Sequence, residues 1–153
     1  MKTITIIEPR YQETDAMGVI HHSVYPVWYE VGRIDFLDET DTPYKKINEM
    51  GYHMALIDLH VTYHKPAFFG EKVILHTWIS EVTKAKVKIS YEIYNLKDEC
   101  INSGYSIHVF VNNDLKLINM SKENPSLYQL FLDYKEKQDY SALFFLMNKS
   151  NKK

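Results

Sequence analysis

The chain has one cysteine, Cys100, among 153 residues. An intrachain disulfide is therefore excluded, which fits a reducing compartment. An excess of charge of one sign is also missing: 18 Lys and Arg stand against 20 Asp and Glu, for a formal net charge of -2. That balance does not suit a surface built to bind a polyanion, so no nucleic-acid partner is expected. No apolar run reaches the roughly 18 residues of a membrane-spanning helix. The opening MKTITIIEPRY alternates threonine and isoleucine. It lacks a long apolar core and a small-residue cleavage site, so it does not read as a signal peptide. These absences lead to the expectation of a soluble, cytoplasmic protein without a transmembrane segment. Internal repeats and linker-like stretches are missing too, and 153 residues make one ordinary domain.

What is present is an apolar fraction of 45% beside 25% charged residues, a composition that supports a packed core. Thr3 to Tyr11 alternates and is β-branched, which predicts a first strand. Gln12 to His22 reads as a loop that turns at Gly18. Ser23 is placed to cap a helix, and Pro26 suits its first turn. Val24, Val27, Trp28, Val31, Ile34 and Leu37 recur at three- and four-residue steps and predict one apolar helix face. Tyr25, Tyr29 and Phe36 widen that face, so the helix should be wrapped by a sheet or lie at an interface. Tyr44 to Met50 predicts a second short helix. Strands are predicted over Met54 to Tyr63, Val73 to Val82, Lys86 to Leu96 and Ile101 to Asn112. A hairpin turn at Asn112-Asn113-Asp114 leads into Leu115 to Met120. Asn124-Pro125 opens a closing helix that carries Leu127, Leu130, Phe131 and Tyr134. A strand, a long helix, several antiparallel strands and a final helix make an α+β domain. It should span residues 1–138, with 139–153 as a tail whose apolar Ala142 to Met147 is too short to cross a bilayer.

The stretch Tyr11 to Arg33, YQETDAMGVIHHSVYPVWYEVGR, carries the chemistry. Asp15 precedes a glycine turn, and His21 and His22 follow just before the long helix. A carboxylate, two imidazoles and the N–H groups of a helix start are the parts needed to hydrolyse an activated acyl group. His21 and His22 could instead be metal ligands, but adjacent side chains are expected to point apart and no other His or Cys spacing completes a site. No metal or cofactor is therefore expected. Glu30 and Arg33, three apart, form an ordinary helical pair. Lys84, Lys86 and Lys88 alternate on one strand face, which is either a solvated face or a phosphate site.

Thr14-Asp15-Ala16-Met17-Gly18-Val19-Ile20-His21-His22, followed by Tyr25, Glu30 and Arg33, resembles the hotdog-fold acyl-CoA thioesterases of the 4-hydroxybenzoyl-CoA thioesterase and YbgC type. Lys65-Pro66-Ala67 with Gly70-Glu71 resembles that family's turn between strands. The resemblance implies an antiparallel five- to six-stranded sheet wrapped around a long central helix. It implies Asp15 as catalytic carboxylate, His22 as its assistant and Tyr11 as an orienting hydroxyl. Glu30 is the fallback catalyst. The backbone N–H near His22 becomes the oxyanion donor, and no metal is needed. Gly18 and Ser23 would shape the substrate site, while Lys84 and Lys86 would hold the phosphates of CoA. The family often has a glycine where Met17 stands, so the turn or acyl pocket should be narrower here. A homodimer or homotetramer with interfacial sites is implied. The alternatives are an acyl-carrier-protein thioesterase, for which the lysine strand would dock the carrier, and a non-catalytic acyl-CoA-binding hotdog protein. A hotdog dehydratase fits less well, because its His-plus-acid arrangement is not visible.

Overall fold

The computed structural model describes residues 1–136. Its elements in order are β1 (Lys2–Ile7), α1 (Tyr25–Asp38), α2 (Tyr44–Glu49), β2 (His53–Tyr63), β3 (Val73–Val82), β4 (Lys86–Tyr94), β5 (Cys100–Val111), α3 (Met120–Glu123) and α4 (Pro125–Glu136). One turn of 3-10 helix, Tyr11–Glu13, lies between β1 and α1. The five strands form one antiparallel sheet in the order β1-β3-β4-β5-β2. Alternation explains its two faces. Leu75, Ile79, Ile89, Tyr91, Ile93 and Phe110 are buried on the inner face, where α1 packs on β1 and β3 and α4 packs on β3.

The hotdog architecture expected from the motif is present, with five strands among the described residues. Three local expectations need correction. The first strand ends at Ile7, not Tyr11, because its pairing with β3 stops at Ile7 opposite Val73 and Tyr11–Glu13 winds into the 3-10 turn. Leu115 to Met120 is not a strand; only Leu117 bridges to Val111, and Met120 already begins α3. Asn124 closes α3 and caps α4 by accepting the Leu127 N–H at 3.1 Å. The expected domain boundary at 138 and the tail 139–153 lie outside the described residues.

The third correction concerns α1. Its buried residues are Tyr25, Trp28, Tyr29, Gly32, Phe36 and Leu37, whereas Val27 and Val31 are exposed at 54% and 43%. Gly32 sets this rotation: a Cβ there would collide with Leu75 and Thr77 of β3. Without it the helix lies close on the sheet, and the valine stripe is left facing outward. The inner face of β2 is also uncovered, with Leu56 and Leu59 exposed beside Ile57 and Tyr63.

Candidate active site

The loop before α1 is tied at several points. Gly18, at φ +81, turns the chain so that its N–H meets the Asp15 carbonyl at 3.1 Å and the Asp15 N–H meets the Val19 carbonyl at 2.8 Å. The turn aims two more N–H groups at the Asp15 side chain: Met17 and Val19 donate to Oδ1 at 2.8 and 3.3 Å. No hydrogen bond within the described residues engages Oδ2. The Ile20 N–H reaches the Ala67 carbonyl at 2.9 Å, and Val19 bridges to Phe68, so the loop is stitched to the β2–β3 connection.

A second anchor had no signature in the motif. Glu13 is buried, and its Oε1 accepts the Arg10 N–H at 2.7 Å while its Oε2 accepts Trp28 Nε1 at 3.1 Å. The His21 N–H donates to the Glu13 carbonyl at 2.8 Å. One acidic residue thus fixes the loop to the first turns of α1. Its signal was available only in retrospect: a glutamate two residues before a motif aspartate reads as solvated.

A cleft of about 360 Å³ opens beside Asp15, lined also by His22, Tyr25, Tyr63 and Pro66. Tyr63 donates its hydroxyl to the His22 carbonyl at 2.6 Å. Tyr25 and Tyr63 meet edge to face with centroids 5.3 Å apart. Burial pushes the Tyr25 hydroxyl above its ordinary range, with the neighbouring Tyr63 and Asp15 adding to the effect. Burial likewise raises Tyr63. Both are therefore protonated donors at neutral pH. The His22 backbone N–H donates to nothing among the described residues, one residue pair before the N-cap of α1.

The sequence-predicted residues divide clearly. Asp15 and His22 share the cleft. Tyr11 does not line it: the side chain is 75% exposed and packs edge-on against Phe69 at 5.5 Å. The cleft hydroxyls belong to Tyr25 and Tyr63 instead. Gly18 acts through the turn, not by lining the cleft. Ser23 is not the helix cap, because α1 begins at Tyr25 with Val24 as N-cap and no side-chain cap bond. Its hydroxyl meets His21 Nδ1 at 2.7 Å. His21 and His22 do not point apart; their rings lie 4.1 Å from one another. No group of three or more His, Cys, Asp or Glu among the described residues could hold a metal ion. Glu30 lines a different cavity with Arg33, to which it is paired at 3.8 Å. Lys84 and Lys86 sit at the β3–β4 turn. Strand β3, ten residues long, separates that turn from the Pro66 end by about 30 Å. Cys100 is half-buried with its thiol pushed up by burial, which makes it a poor nucleophile.

Among the described residues no helix is long and apolar enough to cross a membrane. The profile of the thioesterase-like superfamily matches residues 9–134. The chain is 33% identical over 126 residues to YneP of Bacillus subtilis, named for acyl-CoA thioesterase activity, covering 82% of this chain and 91% of that one. It is 24% identical over 127 residues to the chloroplastic acyl-acyl carrier protein thioesterase ATL3 of Arabidopsis thaliana, covering 82% of this chain and 67% of that one. Among solved structures, the DHNA-CoA thioesterase from Staphylococcus aureus superposes with a TM-score of 0.79 at 31% identity, covering 97% of this chain and 95% of that one.

Proposed function

This chain belongs to the thioesterase-like superfamily, and we propose that it hydrolyses acyl-CoA thioesters to free acid and CoA with Asp15 as base or nucleophile. One observation carries the reading. The Asp15 carboxylate is held by two N–H groups through Oδ1 and leaves Oδ2 open, in the cleft that begins at the His22 peptide and α1.

A thioester carbonyl set over His22 would direct its developing oxyanion at the free His22 N–H and the positive end of α1. On one route Asp15 takes a proton from water, hydroxide adds to the carbonyl carbon, and the C–S bond breaks as the thiolate leaves. On the other, an Asp15 oxygen adds first, the thiolate leaves, and water opens the mixed anhydride. On either route the proton that water gives up ends on the thiolate, and the His22 ring at the cleft is placed to relay it, so that Asp15 and His22 both return to their starting states. Neither route calls for a cofactor. A cytoplasmic location accords with an acyl-CoA substrate.

The exposed Val27 and Val31 of α1, with Leu56, Ile57 and Leu59 of β2, support a homodimer or homotetramer. The eleven-residue edge strand β2 presents unpaired backbone groups to a second copy. Light scattering at micromolar concentration should give at least a dimer, and a monomer would contradict the arrangement.

The direct test is thiol release from short, long and aromatic acyl-CoAs, with wild type beside Asp15→Asn. Turnover that disappears in the variant supports the assignment. Substantial retained activity would overturn it and move the role to Glu30. The relation to ATL3 favours one second reading, an acyl-carrier-protein substrate, which would show as turnover of carrier-bound but not CoA-bound acyl groups. A folded protein that binds acyl-CoA yet cleaves neither would be a binding protein.

A further inference from the structure

His22 lines the cleft beside Asp15, and His21 does not. His22 is exposed, and the hydrogen bond it receives from Tyr63 goes to its backbone carbonyl. Among the described residues no hydrogen bond engages either of its ring nitrogens. Free nitrogens suit a group that takes up a proton and passes it on. They also leave the ring without a polar anchor. What the ring has is a flat neighbour: the His21 imidazole lies 4.1 Å away, centre to centre, at an interplanar angle of 32°.

His21 is held where His22 is not. The Ser23 N–H donates to His21 Nδ1 at 3.2 Å, so that nitrogen is the acceptor and the neutral ring carries its proton on Nε2. The Ser23 hydroxyl lies 2.7 Å from the same nitrogen and donates to it as well. The His21 backbone is fixed on both sides. Its N–H meets the Glu13 carbonyl at 2.8 Å, and its own carbonyl accepts the Val24 N–H at 3.0 Å. Glu13 is buried and bonded to Trp28 of α1. A line of contacts thus runs from the core through Glu13 and His21 to the face of the His22 ring, and ends there.

We propose that His21 is a positioning residue for the hydrolysis: clamped by Ser23, its ring is the platform that holds the His22 imidazole in one orientation at the cleft while it relays the proton to the leaving thiolate. The inference rests on the thioesterase reading of Asp15 and His22. A histidine side chain has two rotatable bonds, and an exposed imidazole without hydrogen bonds samples several rotamers. A relay needs the one that brings a ring nitrogen within hydrogen-bond reach of the sulfur. Stacking on a fixed ring selects a rotamer and leaves both nitrogens free, whereas an anchoring hydrogen bond would occupy one. Ser23, expected from the sequence to touch substrate, acts through His21 instead.

The experiment compares one acyl group on coenzyme A with the same group on a nitrothiophenol. The alkanethiolate of coenzyme A needs a proton as it leaves, whereas the nitrothiophenolate is a stable anion at neutral pH, so only the first depends on the relay. His21→Ala should lower kcat on the CoA ester about three- to tenfold, the worth of one ring–ring contact, with KM and melting temperature unchanged. On the nitrothiophenyl ester it should lose little. His21→Phe, which keeps a flat ring without a nitrogen, should restore most of the loss. Once His22→Ala is in place, removing His21 as well should cost nothing further. Equal losses on the two esters would make His21 a support of the loop and overturn the proposal. An unaffected kcat, or no recovery in His21→Phe, would overturn it too. NMR supplies a readout independent of turnover: cross-relaxation between the His21 and His22 ring protons is expected in wild type, and its absence would remove the platform. A wild type that cleaves neither ester would bring down the thioesterase reading and the role of His21 with it, an outcome distinct from a working enzyme indifferent to His21.

Discussion

The two sides of α1 use polar groups in opposite ways. At its N-terminus, the Asp15 loop binds its own backbone tightly yet leaves Asp15 Oδ2 and the His22 N–H without a hydrogen-bond partner among the described residues, and both residues line a cleft. Under its middle, a seam of polar side chains closes on itself. Tyr29 stacks on Tyr91 at 4.2 Å and gives its hydroxyl to Asn102. Arg33 donates to the Tyr91 hydroxyl at 3.1 Å, Tyr91 meets Ser106 at 2.6 Å, and Ser106 meets His108 Nε2 at 2.8 Å. The loop keeps unspent hydrogen-bonding capacity, as binding requires. The seam uses most of its capacity internally and is closed to solvent, although Asn102 Nδ2 and His108 Nδ1 are buried without a hydrogen-bond partner among the described residues. Substitutions in the first should therefore move turnover, and substitutions in the second should move stability.

The sharpest break between the two comes from Asp15→Asn. Its amide oxygen can still accept from Met17 and Val19, so the turn survives and melting should change little. The base or nucleophile is lost, and kcat should fall by about 10²–10⁴-fold. A large fall in melting temperature alongside would place Asp15 with the structural groups.

The seam should answer to pH in stability. Burial, with the charge of Arg33 beside it, lowers His108 from 6.5 to about 4. The folded state thus holds His108 neutral where the unfolded chain would protonate it. Its contribution is complete above pH 6.5 and is lost as pH falls toward 4, because the unfolded state then binds the extra proton. The full loss is about 3 kcal/mol. Chemical denaturation at pH 7 and pH 4.5 measures it. His108→Gln should flatten that acid dependence, and an acid limb of unchanged depth would remove His108 as its source.

Glu13 sits between the two regions, since it is buried like the seam but fastens the loop. In Glu13→Gln one carboxylate oxygen becomes an N–H donor facing Arg10 N or Trp28 Nε1, both donors themselves. Stability should fall by about 1.5–3 kcal/mol, the worth of a charged hydrogen bond. Turnover should fall with it, because His21 hangs from the Glu13 backbone. Loss of stability with full kcat would show that the loop holds its shape without this anchor.

The loop was legible in the sequence because its candidate residues are close along the chain: Asp15, Gly18 and His22 fall within eight residues. The succession of strands and helices along the chain also followed from alternation and turn residues, whereas the order of the strands within the sheet did not. The seam was not legible, since Asn102, Ser106 and His108 meet Tyr29, Tyr91 and Arg33 only through sheet register. Tyr11 was named from the family resemblance, and Tyr63 was read only as the end of a strand. The 3-10 turn carries the Tyr11 ring out to Phe69, while β2 returns Tyr63 to the His22 carbonyl from 41 residues away, a meeting that sequence spacing does not show. The helix face was misread because apolar spacing alone does not reveal that Gly32 lets α1 roll against β3.

Tyr63→Phe tests the finest part of the comparison. The Tyr63 side chain is 50% exposed, so its hydroxyl can exchange protein for water and its loss should cost well under about 1 kcal/mol of stability. Its partner, however, is the carbonyl of His22, the residue whose N–H is the proposed oxyanion donor. Without that bond the His22 backbone is held only through its neighbours, by His21 to Glu13 and by Val24 to the His21 carbonyl at 3.0 Å. Small displacements of an oxyanion donor weaken it at the transition state more than in the ground state. The expected result is a severalfold drop in kcat with little change in KM or melting temperature. A change in KM alone would instead make Tyr63 a wall of the cleft, touching substrate without positioning the donor.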